Sequence, residues 1–411
     1  MNIIKNIVFI ALLLTIIQQF PYVRENYYSQ IRILLYLFFG IFSFIGIFIS
    51  KPKLTLFIKV FFVCTLLWYL LMVIFYITGL NFKNPYNTSN DILEPVIPLG
   101  LLVLAYKFNF SDNEIKKFSI IYIIFVTIMG IANIVYYGIG LEIPKIYIEN
   151  FPKNQIGPIL SISSIICFYL FLNNIIKRNN LAISYIYIIF NIINLICLAL
   201  IRNRSGLLAT FIIITFLILF YYKYIKKNTK VYLNIIAIFV ILVFLDITTS
   251  IFNSSISFLY NSFTANYNIS DMDNLSAGRV KIYEIAIIFL KNNFFLGELN
   301  SSEYVPGIAH NYLLNKVVKY GLIGSIPLIF LYLYIVIFIF KTLLKQIKLG
   351  RNINLSLLLI WQAIIISFFE YSYPYGPGVS QALSWFLLGQ YLSRTFYEKM
   401  ESRNEGICFI S

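Results

Sequence analysis

The chain has 411 residues, of which 60% are hydrophobic and 12% are charged, and its net charge at neutral pH is +15. Soluble globular domains carry about a quarter charged residues and less than half apolar ones, so this composition excludes an ordinary soluble enzyme. In a soluble protein the positive charge would suggest a nucleic-acid partner, but in a membrane protein it first raises the question of where the charges lie.

Apolar runs long enough to cross a bilayer recur along the whole chain. A hydrocarbon core of about 30 Å is crossed by roughly 20 helical residues, and these runs are apolar on every side rather than along one face. The sequence therefore predicts an all-α, polytopic integral membrane protein with about twelve transmembrane helices. The predicted spans are residues 4–20, 31–50, 54–79, 92–106, 117–138, 155–176, 181–201, 205–222, 231–252, 318–340, 355–369 and 377–393.

The lysines and arginines predict the orientation of these spans. With twelve spans, 19 of these residues lie on the side of the two termini and 12 on the other side. Positive residues favour the cytoplasm, so both termini are expected there. We interpret residues 1–411 as a single membrane domain. Helices 1–9 lie in residues 1–252, a large external loop with short helices in 253–317, and helices 10–12 with a cytoplasmic tail in 318–411.

The external loop between the ninth and tenth spans is much longer than the other loops. Long loops in compact architectures usually carry function. This one contains an apolar stretch, Val280 to Leu290, which is predicted to lie at the membrane interface as a partly embedded helix.

His310 is the only histidine in the chain. It comes shortly before the tenth span, at the predicted start of a helix. A histidine at such a position stays neutral and can accept a proton near neutral pH, and the same helix end presents backbone N–H groups to an anion. The alternative is a polar residue at the membrane interface with no catalytic role.

Arginines on the predicted outer face form the second candidate feature. Arg202 and Arg204 mark the junction of the seventh and eighth spans, and Arg279 lies in the large loop close to Lys281. The planar guanidinium group suits bidentate binding of phosphate oxygens. The alternative is snorkelling, in which a long side chain at a helix end reaches the lipid headgroups.

Other signals point away from chemistry. The Asp271–Asp273 pair resembles a divalent-metal motif, but on the outer face it is interpreted as a solvated turn, so no metal site is predicted. Asp246 and Lys59 lie near span ends, where snorkelling accounts for them. No glycine loop for phosphates and no basic aromatic surface for nucleic acid is present, and no cofactor is predicted.

Four sequence patches resemble the O-antigen ligase and Wzy-type polysaccharide polymerase superfamily of bacterial envelopes, over roughly residues 150–345. The patches are Lys153-Asn154-Gln155-Ile156-Gly157-Pro158, Arg204-Ser205-Gly206-Leu207-Leu208-Ala209, Gly278-Arg279 with Tyr283 and Gly297, and His310-Asn311-Tyr312-Leu313 with Gly321-Leu322-Ile323-Gly324. The chain departs from the family pattern at Asn203, where serine is usual, at Tyr283, where tryptophan is common, and at Glu298, which breaks a Gly-x-Gly.

This resemblance implies glycan transfer from an undecaprenyl-pyrophosphate carrier to a sugar hydroxyl, without metal or cofactor, on the extracytoplasmic face of the bacterial cytoplasmic membrane. It implies that Arg204 and Arg279 bind the pyrophosphate and that His310 acts on the acceptor hydroxyl. Further substrate-binding residues implied by the resemblance or its neighbouring charges are Arg202, Lys281, Lys153, Asn154 and Asn311. The expected partners are lipid-linked glycans as donor and acceptor, membrane lipids and a chain-length regulator.

Three activities remain open from the sequence. A polymerase joins lipid-linked repeat units, whereas a ligase moves a finished chain to lipid A core or to protein. The polymerase is favoured, because lipid A ligation needs an outer membrane and such sequences occur in envelopes with and without one. A twelve-helix transporter or flippase would show two similar halves and charged helices at the midplane, but the charges of this chain gather at the outer edge.

Overall fold

The computed structural model describes residues 2–48, 54–78, 80, 94–108, 110–141, 153–176, 181–227, 279–299, 309–375 and 380–408, and every regular element in them is a helix. The α-helices are α1 Asn2–Ile17, α2 Pro21–Phe48, α3 Leu56–Ile77, α4 Val96–Lys107, α5 Asp112–Tyr137, α6 Lys153–Ile176, α7 Leu181–Leu200, α8 Arg204–Lys227, α9 Arg279–Asn293, α10 Tyr312–Lys348, α11 Leu355–Ser367 and α12 Ala382–Cys408.

Six of these helices are long and apolar enough to cross a membrane. They are α3, α5, α6, α7, α8 and α10, while α1, α4 and α11 include shorter apolar stretches. The chain is thus a helical protein of multi-pass character, as its composition indicates, and the total of twelve spans stays a prediction. The predicted ninth span, 231–252, and residues 253–278 and 300–308 of the large loop lie outside the described residues.

The first of two compact units comprises residues 1–121 and 282–411. Helix α4 lies inside it and packs on α2 and α12, so that every residue from Ile97 to Tyr106 is buried. This position accounts for the composition of α4, because a helix buried on all sides can be apolar on every face. Pro98 falls in its first turn, where backbone N–H groups have no intrahelical partner and proline is tolerated.

The second compact unit comprises residues 122–281. Helix α6 packs on both α7 and α8 and is its most buried element. Small residues let the backbones approach, as at Gly130, where an added Cβ would lie 2.8 Å from Leu160 and 3.4 Å from Cys197. Such small residues are typical of helix contacts within membranes, where close van der Waals packing holds helices together.

Helix α10 consists of two parts joined at Gly321, which has φ 63° and ψ 179°. The amides of Leu322 and Ile323 donate to the carbonyls of Phe294 and Phe295 over 2.8 and 3.2 Å. An added Cβ on Gly297, which has φ 57°, would lie 2.6 Å from the Gly321 nitrogen. This backbone clasp between the chain after α9 and the middle of α10 holds the part Tyr312–Tyr320 in place. The predicted tenth span, 318–340, includes only the last three residues of that part.

Candidate functional site

His310 lies two residues before the start of α10. Asn311 is the N-cap of this helix: its backbone is extended and its side chain accepts a hydrogen bond from the Leu314 amide over 3.1 Å. An asparagine cap satisfies one of the amides that a helix start leaves without a partner. The cap thereby fixes where the helix begins and where the imidazole beside it lies. The structure gives Asn311 this structural contact, and its predicted role in substrate binding remains a prediction.

The imidazole of His310 faces a buried carboxylate. Its Nδ1 lies 3.7 Å from Oε2 of Glu370, and the side chains are 29% and 4% exposed. This separation is longer than a hydrogen bond, and hydrogen bonds between catalytic groups are often long before substrate binds. A carboxylate at Nδ1 favours the tautomer with Nδ1 protonated, which leaves Nε2 as the proton acceptor. The pair is therefore suited to general-base chemistry.

Glu370 was not among the predicted site residues. It lies after α11 and is the only acidic residue between Leu355 and Tyr397. An isolated acid in an apolar stretch is a signal for function in a membrane protein. That signal was available in the sequence, but its pairing with His310 depends on the fold.

Helix α9 also holds His310 through the backbone. The hydroxyl of Tyr283 donates to the His310 carbonyl over 2.9 Å, and Ala286 and Phe289, one and two turns further along, pack with Val318 of α10. The Tyr371 ring lies 6.4 Å from the imidazole, edge to face. Tyr283 therefore contributes a hydrogen bond to the backbone of His310, and the helix that carries it packs on α10.

A second ion pair lies inside the first unit. Nζ of Lys316, on α10, is 2.6 Å from Oε2 of Glu94, and the side chains are 0% and 3% exposed. The same Nζ lies 5.4 Å from the centre of the Tyr312 ring. A buried charge is tolerated only when an opposite charge compensates it. The two ions therefore hold the segment before α4 against the part of α10 that follows His310.

Buried aromatic rings surround Tyr312, two residues after His310. It stacks on Tyr332 at 5.8 Å and meets Tyr375 edge to face at 5.4 Å, and Tyr375 stacks on Trp385 at 6.1 Å. The Trp385 indole donates to the Pro374 carbonyl over 3.1 Å. These rings form a buried aromatic cluster at the start of α10, next to His310 in the chain.

In the second unit, Asn203 brings two of the sequence patches together. Its Nδ2 donates to the Lys153 carbonyl over 3.0 Å, and its Oδ1 accepts from the Gly206 amide over 2.7 Å. It thus caps α8 and also binds the first residue of α6. Gly157 makes room for it, since a Cβ there would collide with the Asn203 side chain. Asn203 therefore joins the starts of two helices, α6 and α8.

Predicted substrate-binding residues lie at this junction. Lys153 and Asn154 lie in the first turn of α6 and are half-buried, while Arg204 opens α8 and is exposed. Two helix N-termini add partial positive charge to that of the side chains. The arrangement is suited to binding an anion such as a phosphate group.

Arg202 holds a backbone conformation that glycine normally supplies. Its φ is 59°, and it is the residue after the C-cap of α7. The Arg202 amide donates to the Ala199 carbonyl over 3.0 Å, and the Asn203 amide donates to the Leu198 carbonyl over 3.3 Å. This is the Schellman pattern. A left-handed non-glycine residue costs about 1–2 kcal/mol, so an arginine at this position points to a use for its side chain.

The other predicted residues are placed as follows. Arg279 and Lys281 lie in the first turn of α9, half-buried and exposed respectively. Lys59 is exposed on the first turn of α3, as snorkelling requires. Gly278, Asp246 and the Asp271–Asp273 pair lie outside the described residues. Among the residues the structure describes, no three histidine, cysteine or acidic side chains come together as metal ligands would.

Comparison of the sequence with protein-family models and with curated proteins gave no match.

Proposed function

We propose that the chain polymerises undecaprenyl-pyrophosphate-linked oligosaccharide repeat units into surface polysaccharide, on the outer face of the bacterial cytoplasmic membrane. The observation that carries this proposal is the imidazole of His310 held against the buried carboxylate of Glu370 at the start of α10. That pair supplies a general base for a sugar hydroxyl. The order and spacing of the four sequence patches support the choice of substrate.

In the proposed reaction, Nε2 of His310 accepts the proton of the acceptor hydroxyl. The hydroxyl oxygen attacks C1 of the donor's reducing-end sugar, a new glycosidic bond forms, and the bond from C1 to the pyrophosphate oxygen breaks. The leaving group is undecaprenyl pyrophosphate, which departs with the bonding electron pair. Glu370 stabilises the imidazolium that forms in this step.

The arginines act on the leaving group. Arg204 and Arg279 bind the donor pyrophosphate, with Arg202, Lys281, Lys153 and Asn154 as further ligands. Fixed positive charge aimed at a developing anion stabilises the transition state by several kcal/mol in a site that excludes water. The two helix starts joined by Asn203 support this role, since a pyrophosphate fits a helix N-terminus that also carries arginine.

The test compares the glycans of a deletion strain complemented with the wild-type protein, His310→Ala or Glu370→Gln. We expect His310→Ala to lower chain formation about 10²–10⁴-fold, the usual contribution of a general base, and Glu370→Gln to lower it less. Ile326→Ala, an exposed change on the same helix, is the matched control, and membrane levels of each variant are measured by immunoblot.

The lipid-linked and surface pools distinguish the activities. Single repeat units in the deletion strain and in His310→Ala support the polymerase. Long chains retained on the carrier in the deletion strain would instead identify a ligase. Lipid-linked repeat units retained on the cytoplasmic face of the membrane would identify a flippase. Unchanged glycan in every strain would rule out both transferase activities.

A further inference from the structure

After Gly321, helix α10 exposes a single stripe of large apolar side chains. They recur at intervals of three and four residues, which places them on one side of the helix. At 1.5 Å per residue, the stripe is about 26 Å long, close to the thickness of a hydrocarbon core. It is therefore suited to face lipid tails. Its members are Ile323, Ile326, Phe330, Leu333, Ile337 and Phe340.

Lysines lie at both ends of this stripe. Lys319 is one turn before its first residue and is half-buried, and Lys341 directly follows its last residue and is exposed. Lysines at the ends of an apolar stretch extend their ammonium groups to the lipid headgroups. The two lysines thus mark where α10 passes from hydrocarbon to headgroups, and His310 lies at the Lys319 end.

The clasp places two phenylalanines at that same end. The carbonyls of Phe294 and Phe295 accept from the amides of Leu322 and Ile323, and the two side chains are 44% and 63% exposed. Because Ile323 is the first residue of the stripe, these rings lie at the level where the hydrocarbon begins. Exposed aromatic rings are typical of segments buried in the membrane interface.

Helix α9, which leads into the clasp, has two different faces. Ala286 and Phe289 pack on α10, whereas Ile287 and Ile288 are exposed, as is Lys291 one turn later. The helix has 15 residues, fewer than the roughly 20 that cross a bilayer. The sequence predicts an interfacial position for Val280 to Leu290, and the structure identifies the exposed side chains. We call Ile287, Ile288, Lys291, Phe294 and Phe295 the α9 patch.

The charge of this segment indicates which lipid it fits. Within residues 279–299 there are three cations, Arg279, Lys281 and Lys291, and two carboxylates, Glu284 and Glu298. Lys281 and Glu284 are both exposed near the start of α9, so their charges offset each other, whereas Lys291 lies within the apolar patch. A lysine among apolar side chains at a membrane surface is attracted to anionic headgroups.

We propose that the α9 patch binds anionic phospholipid at the membrane surface near His310, and that this contact holds α9 against the start of α10. The opposite side of α9 carries Tyr283, whose hydroxyl donates to the His310 carbonyl over 2.9 Å. Helix α9 cannot move away from His310 without also withdrawing its apolar patch from the lipid. The inference goes beyond the proposed function, since it assigns the membrane lipid a part in positioning the general base.

Fluorescence quenching tests the lipid contact. The full-length protein is placed in nanodiscs of equal parts phosphatidylcholine and phosphatidylglycerol, with bromine on the acyl chains of one lipid or of the other. Bromine quenches tryptophan at short range, so Phe295→Trp reports which lipid lies beside the clasp, and the wild-type protein gives the background of its three native tryptophans. We expect phosphatidylglycerol to be enriched about fivefold there, the factor that one lysine contributes at an anionic surface.

Matched variants locate the site. Phe330→Trp, in the middle of the α10 stripe, should be quenched equally by the two lipids. Added to Phe295→Trp, Lys291→Gln should abolish the preference for phosphatidylglycerol, whereas Lys345→Gln, an exposed change near the far end of α10, should leave it intact. Equal quenching of Phe295→Trp by both lipids would overturn the anionic-lipid site. An absence of quenching by either would overturn the lipid contact itself.

Hydrogen exchange tests the link to His310. The amides of residues 312–320 should exchange more slowly in nanodiscs containing phosphatidylglycerol than in phosphatidylcholine alone, because a better-held segment opens less often. Lys291→Gln should lose this difference. Equal exchange in the two lipids would overturn the positioning role. Neither measurement uses a glycan, so failure of this inference leaves the proposed function standing.

Discussion

The two compact units satisfy their buried polar groups in different ways. The first unit contains buried acids that face basic groups, as in Lys316–Glu94 and His310–Glu370, beside neutral hydrogen bonds such as that from Trp385 to the Pro374 carbonyl. The second unit uses neutral groups: Asn194 accepts from Thr127 and donates to Ser163, each over 3.0 Å, and Asn191 donates to the Ser164 side chain over 2.9 Å. Neutral hydrogen bonds between helices are a common means of holding a membrane protein together, whereas buried ions are expensive and mark function.

This contrast indicates where chemistry can take place. A carboxylate–imidazole pair can accept a proton from a substrate and so change its net charge. Amides and hydroxyls in a hydrogen-bond network do not accept protons in this way. The interior of the second unit is therefore suited to a structural frame, and its predicted functional groups lie at helix ends, at the Asn203 junction and at the start of α9. The interior of the first unit contains groups that can exchange protons.

The largest effect is expected from Lys316→Met. It leaves the Glu94 carboxylate buried without its cation, and breaking one side of a buried pair lowers the free energy of unfolding by about 3–5 kcal/mol. The double variant Lys316→Met, Glu94→Gln should recover most of the loss, since no charge then remains. Denaturant unfolding in detergent measures both. Equal losses in the single and double variants would contradict a role for charge, and would weaken the contrast between the units.

A smaller effect is expected in the second unit from Asn194→Leu, which keeps the side-chain size and removes two hydrogen bonds. Interhelical bonds of this kind contribute about 0.6 kcal/mol each on average, so the loss should be about 1 kcal/mol in the same unfolding assay. Leu198→Ile, one turn further along α7 and equally buried, controls for packing. A loss as large as that of Lys316→Met would show that the second unit is not the neutral frame described above.

The smallest effect, of opposite sign, is expected from Arg202→Gly. Glycine relieves the left-handed conformation and should raise the free energy of unfolding by about 1 kcal/mol. If the arginine is retained for the donor pyrophosphate, the same change should reduce polysaccharide formation in the complemented strain. A gain in stability with an unchanged amount of polysaccharide would show that the Arg202 side chain binds neither the donor nor the acceptor. Arg202→Ala separates the two effects, because it removes the guanidinium and keeps the strain.

The sequence predicted the features that depend on short segments. Apolar runs indicated the helical membrane class, and the patches around Lys153 and Arg204 lie at a single junction in the structure. His310 and Asn311 lie at a helix start because a cap is a local arrangement. The roles assigned to these residues remain predictions.

The features that the sequence did not predict depend on contacts between distant segments. The Glu370 partner of His310 is 60 residues further along the chain, and no local pattern links the two. The start of α2 was not predicted because the first half of this helix is polar enough to lower the mean hydropathy of that stretch. The predicted span is therefore 31–50, although the helix begins at Pro21.

The clasp at Gly297 and Gly321 has a consequence for how the chain tolerates change. Its contacts are made by main-chain atoms, so the side chains at neighbouring positions can vary without altering it. The two glycines cannot vary, because any side chain would meet the opposing backbone. Mutational tolerance along α10 should therefore be lowest at Gly321, where the opposing main chain leaves no room for a side chain.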